Sequence, residues 1–167
     1  GVFFAVSGVR NGSERKVRVQ FIDYDCGKDT TYFNEFQKAH DFKEEALKNA
    51  SFEKVELHTQ ASREDGQIYR YAVKTYKKQT IIEKLKLDFL EKNKQFLNSA
   101  IVINTKNGFH IYWVVEEGKK ELFSPLQAAL ARKFGSDTSV TDLARVLRLP
   151  SFYHLKDISS PYLIEVV

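Results

Sequence analysis

The sequence predicts an α+β domain built on an antiparallel or mixed sheet with flanking helices, and three observations carry that prediction. Short runs alternate apolar and polar residues and are punctuated by Asn-Gly pairs, the pattern of antiparallel hairpins. Between them lie runs with apolar residues at helical spacing. No repeat, low-complexity tract or Pro- and Gly-rich linker divides the chain, so residues 1–167 are expected to form a single domain.

The elements follow in order. Residues 2–9 read as a strand and Asn11-Gly12 as a hairpin turn. Over residues 15–25, Val17, Val19 and Phe21 take one face of a strand and Arg18, Gln20 and Ile22 the other. Asp23 and Asp25 continue the face of Phe21, because side chains repeat every second residue along a strand. Residues 31–49 read as a helix carrying Phe33, Phe36, Lys43 and Leu47. Residues 52–60 and 67–76 read as two strands joined around Asp65-Gly66. Residues 80–97 carry Ile82, Leu85, Phe89 and Phe96, an amphipathic helix with a lysine-rich outer face. Residues 100–115 form the clearest hairpin, turning at Asn107-Gly108. Ser124-Pro125 reads as a cap with a first-turn proline, starting a helix that Gly135 ends. Val140, Leu143, Ala144 and Leu147 mark a further short helix, and residues 162–167 a last strand.

Composition narrows the function classes. The net charge of +4 suits a phosphate-bearing partner without demanding one. Cys26 is the only cysteine, which excludes an internal disulfide and a Cys-based zinc site and is compatible with a reducing cytoplasm. No run is long and apolar enough to span a bilayer, and the opening residues are too short for a signal-peptide core, so a soluble cytoplasmic protein with no membrane partner is expected. The chain starts at Gly1 without Met and is read as a domain excised from a longer protein with further domains.

Three segments can carry chemistry. In Asp23-Tyr24-Asp25, two carboxylates on one strand face can share hard cations, which prefer oxygen ligands. Alone, such a pair also suits a surface turn. In the hairpin, a two-residue Asn107-Gly108 turn sets Thr105 opposite His110, with Lys106 beside the turn, a hydroxyl, a cation and an imidazole suited to a triphosphate. In residues 136–156, a helix would line Thr141, Arg145 and Arg148 along one polar side. Asp137 would precede and cap it, and Asp142 could pair with Arg145. Arg148, His154 and Lys156 flank one proline-containing segment and form a phosphate-binding cluster.

Together these segments resemble the archaeo-eukaryotic primase superfamily, the primase-polymerases. That family carries a carboxylate pair on a strand, a Ser-Gly-x-Gly-x-His-like hairpin, and a third carboxylate before an Arg-Leu-Pro-like segment. The matching stretches are Phe21-Ile22-Asp23-Tyr24-Asp25, Thr105-Lys106-Asn107-Gly108-Phe109-His110, and Asp137 with Arg148-Leu149-Pro150, continued by His154 and Lys156. Thr105-Lys106 replaces the family's Ser-Gly and Ser151 its usual glycine, and the third carboxylate is Asp137 or Asp142, with Asp137 favoured for its position well before the Arg-Leu-Pro stretch.

The resemblance implies a primase-polymerase core with an RNA-recognition-like sheet. It implies a nucleotidyltransferase that adds ribo- or deoxynucleotides to a 3′-hydroxyl on a single-stranded or primed DNA template. Asp23, Asp25 and Asp137 would hold Mg2+ or Mn2+. Thr105, Lys106, His110, Arg148, His154 and Lys156 would bind the nucleoside triphosphate. Plasmid or phage replication, repair and CRISPR-associated systems all use such domains. Arg63, Arg70, Lys74, Lys77 and Lys78 would track the template backbone, and Tyr69, Tyr71 and Tyr76 would stack bases. Two rival readings are a non-catalytic nucleic-acid-binding module with Tyr112 on its sheet, and a metal-dependent replication-initiator nuclease with Tyr153 as nucleophile. Nickases of that kind often use two histidines flanking one apolar residue, and His110-Ile111-Tyr112 lacks the second.

Overall fold

The computed structural model describes residues 2–6, 17–61, 66–142, 145–156 and 158–167. The Asn11-Gly12 turn, Arg63, Asp65, Leu143 and Ala144 lie outside the described residues. In chain order the elements are β1 (Phe3–Ala5), β2 (Val17–Asp25), β3 (Lys28–Phe33), α1 (Phe36–Leu47), β4 (Phe52–Ala61), β5 (Ile68–Lys77), α2 (Gln79–Leu97), β6 (Ala100–Thr105), β7 (Gly108–Gly118), α3 (Lys120–Phe134), β8 (Val146–Arg148), β9 (Tyr153–His154), β10 (Tyr162–Leu163) and β11 (Glu165–Val166). This is an α+β fold, as the alternation of periods predicts, and the strand pairings among the described residues are antiparallel.

The chain divides into two compact units, Gly1–Asp25 with Lys86–Val167, and Cys26–Leu85, the second inserted between β2 and the middle of α2. In the inserted unit the sheet order is β3-β5-β4, and α1 packs on it with Ala39 and Ala46 buried. Here the expected helix over residues 31–49 is corrected. Thr31, Tyr32 and Phe33 end β3, with Phe33 opposite Tyr71, and the helix begins at Phe36. Threonine and aromatic residues favour a pleated surface when a partner strand is present, and tertiary pairing overrides the local helical spacing.

In the larger unit the four strands β11-β6-β7-β2 form one sheet. One face buries Phe21, Ile103 and Tyr112 with Phe123 of α3, Val140, Leu147 and Ile164. The other buries Ile22, Val102, Phe109 and Ile111 with Phe89 of α2 and Phe134 of α3. Lys86 does not join the outer face of α2: it is 3% exposed, donates to the carbonyl of Thr105 at 3.2 Å and to the hydroxyl of Tyr162 at 3.4 Å, and lies over the Phe109 ring. Its position four residues after Ile82 and three before Phe89 places it on the buried stripe.

Two more expectations are corrected in this unit. Helix α3 starts at Lys120, so Pro125 lies inside it and Ser124 is no cap; the Ser124 hydroxyl donates to the carbonyl of Thr141 at 2.9 Å. Gly135 does end the helix, in the left-handed conformation at φ 61°. The helix expected at Val140–Leu147 is absent from the described residues: 140–142 are irregular and 146–148 form β8, in which Leu147 pairs with Phe4 of β1. Of residues 145–148 only Leu147 is buried, while Val146, its neighbour on the other strand face, is exposed. The last strand is also divided, β10 pairing with β9 and β11 with β6.

Candidate functional site

The site is built on β2 and β7. Their register sets Phe21 opposite Tyr112, Asp23 opposite His110 and Asp25 opposite Gly108. Asp23 and Asp25 therefore follow Phe21 on one face, and Tyr24 turns to the other, where its ring stacks on Phe89 at 4.0 Å. Asp25 is exposed at the strand end. His110 is 2% exposed, its Nε2 lies 3.8 Å from Oδ1 of Asp23, and its Nδ1 has no hydrogen-bond partner.

The hairpin turns one residue earlier than Asn107-Gly108. Thr105 pairs with Gly108, and His110 pairs with Ile103. Thr105 is thus displaced along the strand from His110 instead of opposite it, although both keep the same face. Gly108 is required here for close approach: a Cβ at this position would lie 1.8 Å from the carbonyl oxygen of Tyr24. Thr105 is buried, and Lys86 holds its carbonyl.

Asp137 arrives from the loop after α3. Among the described residues strand β2 is the edge of its sheet, and two of its outward backbone groups find partners on α3 and the loop after it. The Phe21 amide donates to Oε1 of Gln127 at 3.0 Å, and the Gln127 amide donates to the carbonyl of Val140 at 3.2 Å. The Asp137 amide donates to the carbonyl of Asp23 at 3.3 Å. The Asp137 carboxylate accepts from the Ser139 amide at 2.8 Å. Asp142 instead lies 3.5 Å from Nε of Arg145. Gln127 escaped the sequence reading, yet it interrupts the buried stripe Phe123, Ala131, Phe134 as a polar residue at an apolar position, a recognisable signal.

Electrostatics tie these groups together. The Asp23 carboxyl is pushed up to about 6, chiefly by burial, then by the charges of Asp25 and Asp137, with Arg148 and Arg145 opposing. Burial and the Arg148 charge push His110 down to about 4, so its ring is neutral at neutral pH. Burial also raises the Tyr112 hydroxyl, with Asp23 adding to it. Arg148 lies 3.1 Å from Nε2 of His154, and His154 is pushed down by burial and by the cations Arg148, Lys106 and Lys156. The predicted basic residues thus gather around His154, brought together by β8, β9 and the β6–β7 turn.

In the inserted unit, Arg70 lies over the Tyr32 ring at 4.3 Å, and Lys77 pairs with Asp29. Tyr71 packs against Phe36, whereas Tyr76 is on the opposite face and donates to Glu56 at 2.8 Å, so these two tyrosines do not form one stacking platform. Tyr153 is exposed on β9.

The fold and this site define a class: an α+β domain whose sheet presents carboxylates within the field of a cluster of cations. The family model described as RepB DNA-primase N-terminal domain matches residues 9–161, and the chain belongs to that family. No curated protein and no solved structure matches it. The chain is therefore a primase-type domain of DNA replication. No helix among the described residues is long and apolar enough to cross a membrane.

Proposed function

We propose that this domain performs templated nucleotidyl transfer, adding nucleotides to a 3′-hydroxyl on a DNA template, in the manner of the archaeo-eukaryotic primases that its motifs resemble. The observation that supports the proposal is the backbone bond from Asp137 to Asp23, which ties the main chain of a distant loop to the strand that carries the paired carboxylates.

The donor set fits a hard cation in its chemistry. Its atoms are carboxylate oxygens, and Asp25 and Asp137 repel the charged form of Asp23, a repulsion that a divalent cation relieves. Among the described residues no group of three His, Cys, Asp or Glu stands close enough to hold a metal ion, so the exposed side chains of Asp25 and Asp137 would have to turn toward Asp23 to complete the set. Asp23, Asp25 and Asp137 would hold Mg2+ or Mn2+, which when bound activates the attacking hydroxyl and neutralises the triphosphate.

The remaining residues bind and orient. Lys106, Arg148, His154 and Lys156 would neutralise the incoming triphosphate and the leaving pyrophosphate. His110 is held neutral and offers Nδ1 as a hydrogen-bonding atom rather than a charge. Thr105 would act from the end of β6, its position set by Lys86. DNA would bind as the template, with the basic residues of the inserted unit as backbone contacts.

The test is incorporation of labelled ribo- and deoxynucleotides on primed and unprimed single-stranded templates with magnesium or manganese. Incorporation by the wild-type chain and its loss in Asp23→Ala/Asp25→Ala, with the circular dichroism unchanged, is expected. Equal incorporation by a pure, folded double variant sinks the assignment.

A further inference from the structure

On the sheet face opposite Asp23, a cavity of about 380 Å³ opens, lined by Gln20, Phe96, Trp113, Leu130, Lys133 and Phe134. That volume lies in the range of small-ligand sites, roughly 300–1,000 Å³. Its walls are aromatic. The Trp113 and Phe134 rings stack with centroids 5.5 Å apart and planes 23° apart, and Phe96 stands edge-on to Phe134 at 6.1 Å. The Trp113 indole N–H donates to the carbonyl of Phe96 at 3.0 Å, which fixes the ring.

Two polar groups give the cavity direction. Gln20 sits directly opposite Trp113 in the β2–β7 register, is 7% exposed, and its Oε1 has no hydrogen-bond partner. A buried amide oxygen left unpaired is unfavourable, and a ligand donor removes that penalty. The Lys133 amine, exposed at the end of α3, lies 3.8 Å from the centroid of the Phe96 ring.

We propose that this cavity binds a nucleobase carrying phosphate. The flat ring would lie against Trp113 and Phe134, the buried Gln20 amide would turn to bring its Oε1 to an N–H on the ring edge, and the phosphate would meet Lys133. An aliphatic chain would use the aromatic walls but leave Gln20 and Lys133 unanswered. The base can come from a free nucleotide or from single-stranded DNA. The site shares no residue with the carboxylate site and needs no metal.

Trp113 is the only tryptophan of the 167 residues, so its fluorescence reports on this cavity alone. The whole chain is titrated, with chelator present, with thymidine, thymidine monophosphate and a short oligothymidylate. Saturable quenching by the phosphate-bearing ligands is expected. Saturation by the monophosphate assigns the free nucleotide; saturation by the oligonucleotide alone assigns single-stranded DNA. Gln20→Leu, which keeps the volume and removes the acceptor, should weaken binding about ten-fold. Lys133→Ala should weaken the phosphate-bearing ligands and leave thymidine unaffected. Absence of saturable quenching, or equal affinity in Gln20→Leu, overturns the proposal. The Asp23→Ala/Asp25→Ala chain should quench like wild type, so this site and the catalytic reading fail separately.

Discussion

The backbone amide of Asp137 donates to the carbonyl of Asp23 at 3.3 Å, while Asp142 lies beside Arg145. The two candidate third carboxylates, close neighbours in sequence, therefore occupy different environments. Asp137→Asn should lower nucleotide incorporation about a hundred-fold or more, the scale of losing one fixed charge at a phosphoryl-transfer centre. Asp142→Asn should stay within about three-fold, the range of a weak exposed ion pair. Steady-state incorporation on a primed template measures both, and the reverse ranking would transfer the role to Asp142.

Gln127 joins β2 to the loop that carries Asp137, accepting from Phe21 and donating to Val140 while 1% exposed. In Gln127→Leu both backbone groups lose their partner. A loss of about 3 kcal/mol in urea unfolding is expected, since each buried group left unpaired costs roughly 1–3 kcal/mol. A variant as stable as wild type would mean that the edge is satisfied in another way.

The pH dependence of stability carries two opposite contributions. The Asp23 carboxyl is raised from 3.8 to about 6, so its stabilisation is complete below 3.8 and is lost as the pH rises through about 6. The His110 ring is lowered from 6.5 to about 4, so its stabilisation is present above 6.5 and is lost as the pH falls through about 4. Asp23→Asn removes the first contribution alone. With chelator present, its melting temperature should match wild type near pH 4 and exceed it near pH 7. A constant difference across that window contradicts the raised carboxyl.

Gly108 faces Asp25 where β2 and β7 approach most closely, and an added Cβ would strike the Tyr24 carbonyl. Gly108→Ala should cost about 3 kcal/mol, the upper end of overpacking penalties, because backbone rather than a flexible side chain must move. Asn107→Ala, in the adjoining turn, should cost less than about 1 kcal/mol. Equal thermal unfolding shifts in the two variants would count against the close-approach explanation.

The β4–β5 and β6–β7 hairpins and α2 were legible because their periods are strong and their ends carry turn residues, whereas β1, read as the neighbour of β2, pairs with β8. Where the reading failed, a partner from elsewhere decided the outcome. Residues 31–33 extend because β5 offers them a ladder, and residues 146–148 because β1 does. The turn at Lys106-Asn107 rather than Asn107-Gly108 follows from the need for glycine opposite Asp25, a contact between distant strands. Lys86 and Gln127 were missed because their polarity argues for the surface, whereas their positions on apolar stripes argue for burial.

By itself the sequence determined the carboxylate pair. Strand periodicity puts Asp23 and Asp25 on the face of Phe21 whatever the rest of the chain does. It also determined that His110 belongs to a hairpin, since the alternating runs around Asn107-Gly108 allow little else. Only the tertiary structure decided which strands are neighbours, and thereby that His110 stands opposite Asp23 and Asp137 beside it. The physical reason is that β2 is a sheet edge among the described residues: its outward amide at Phe21 and carbonyl at Asp23 need partners, and Gln127 and Asp137 supply them from a distant part of the chain.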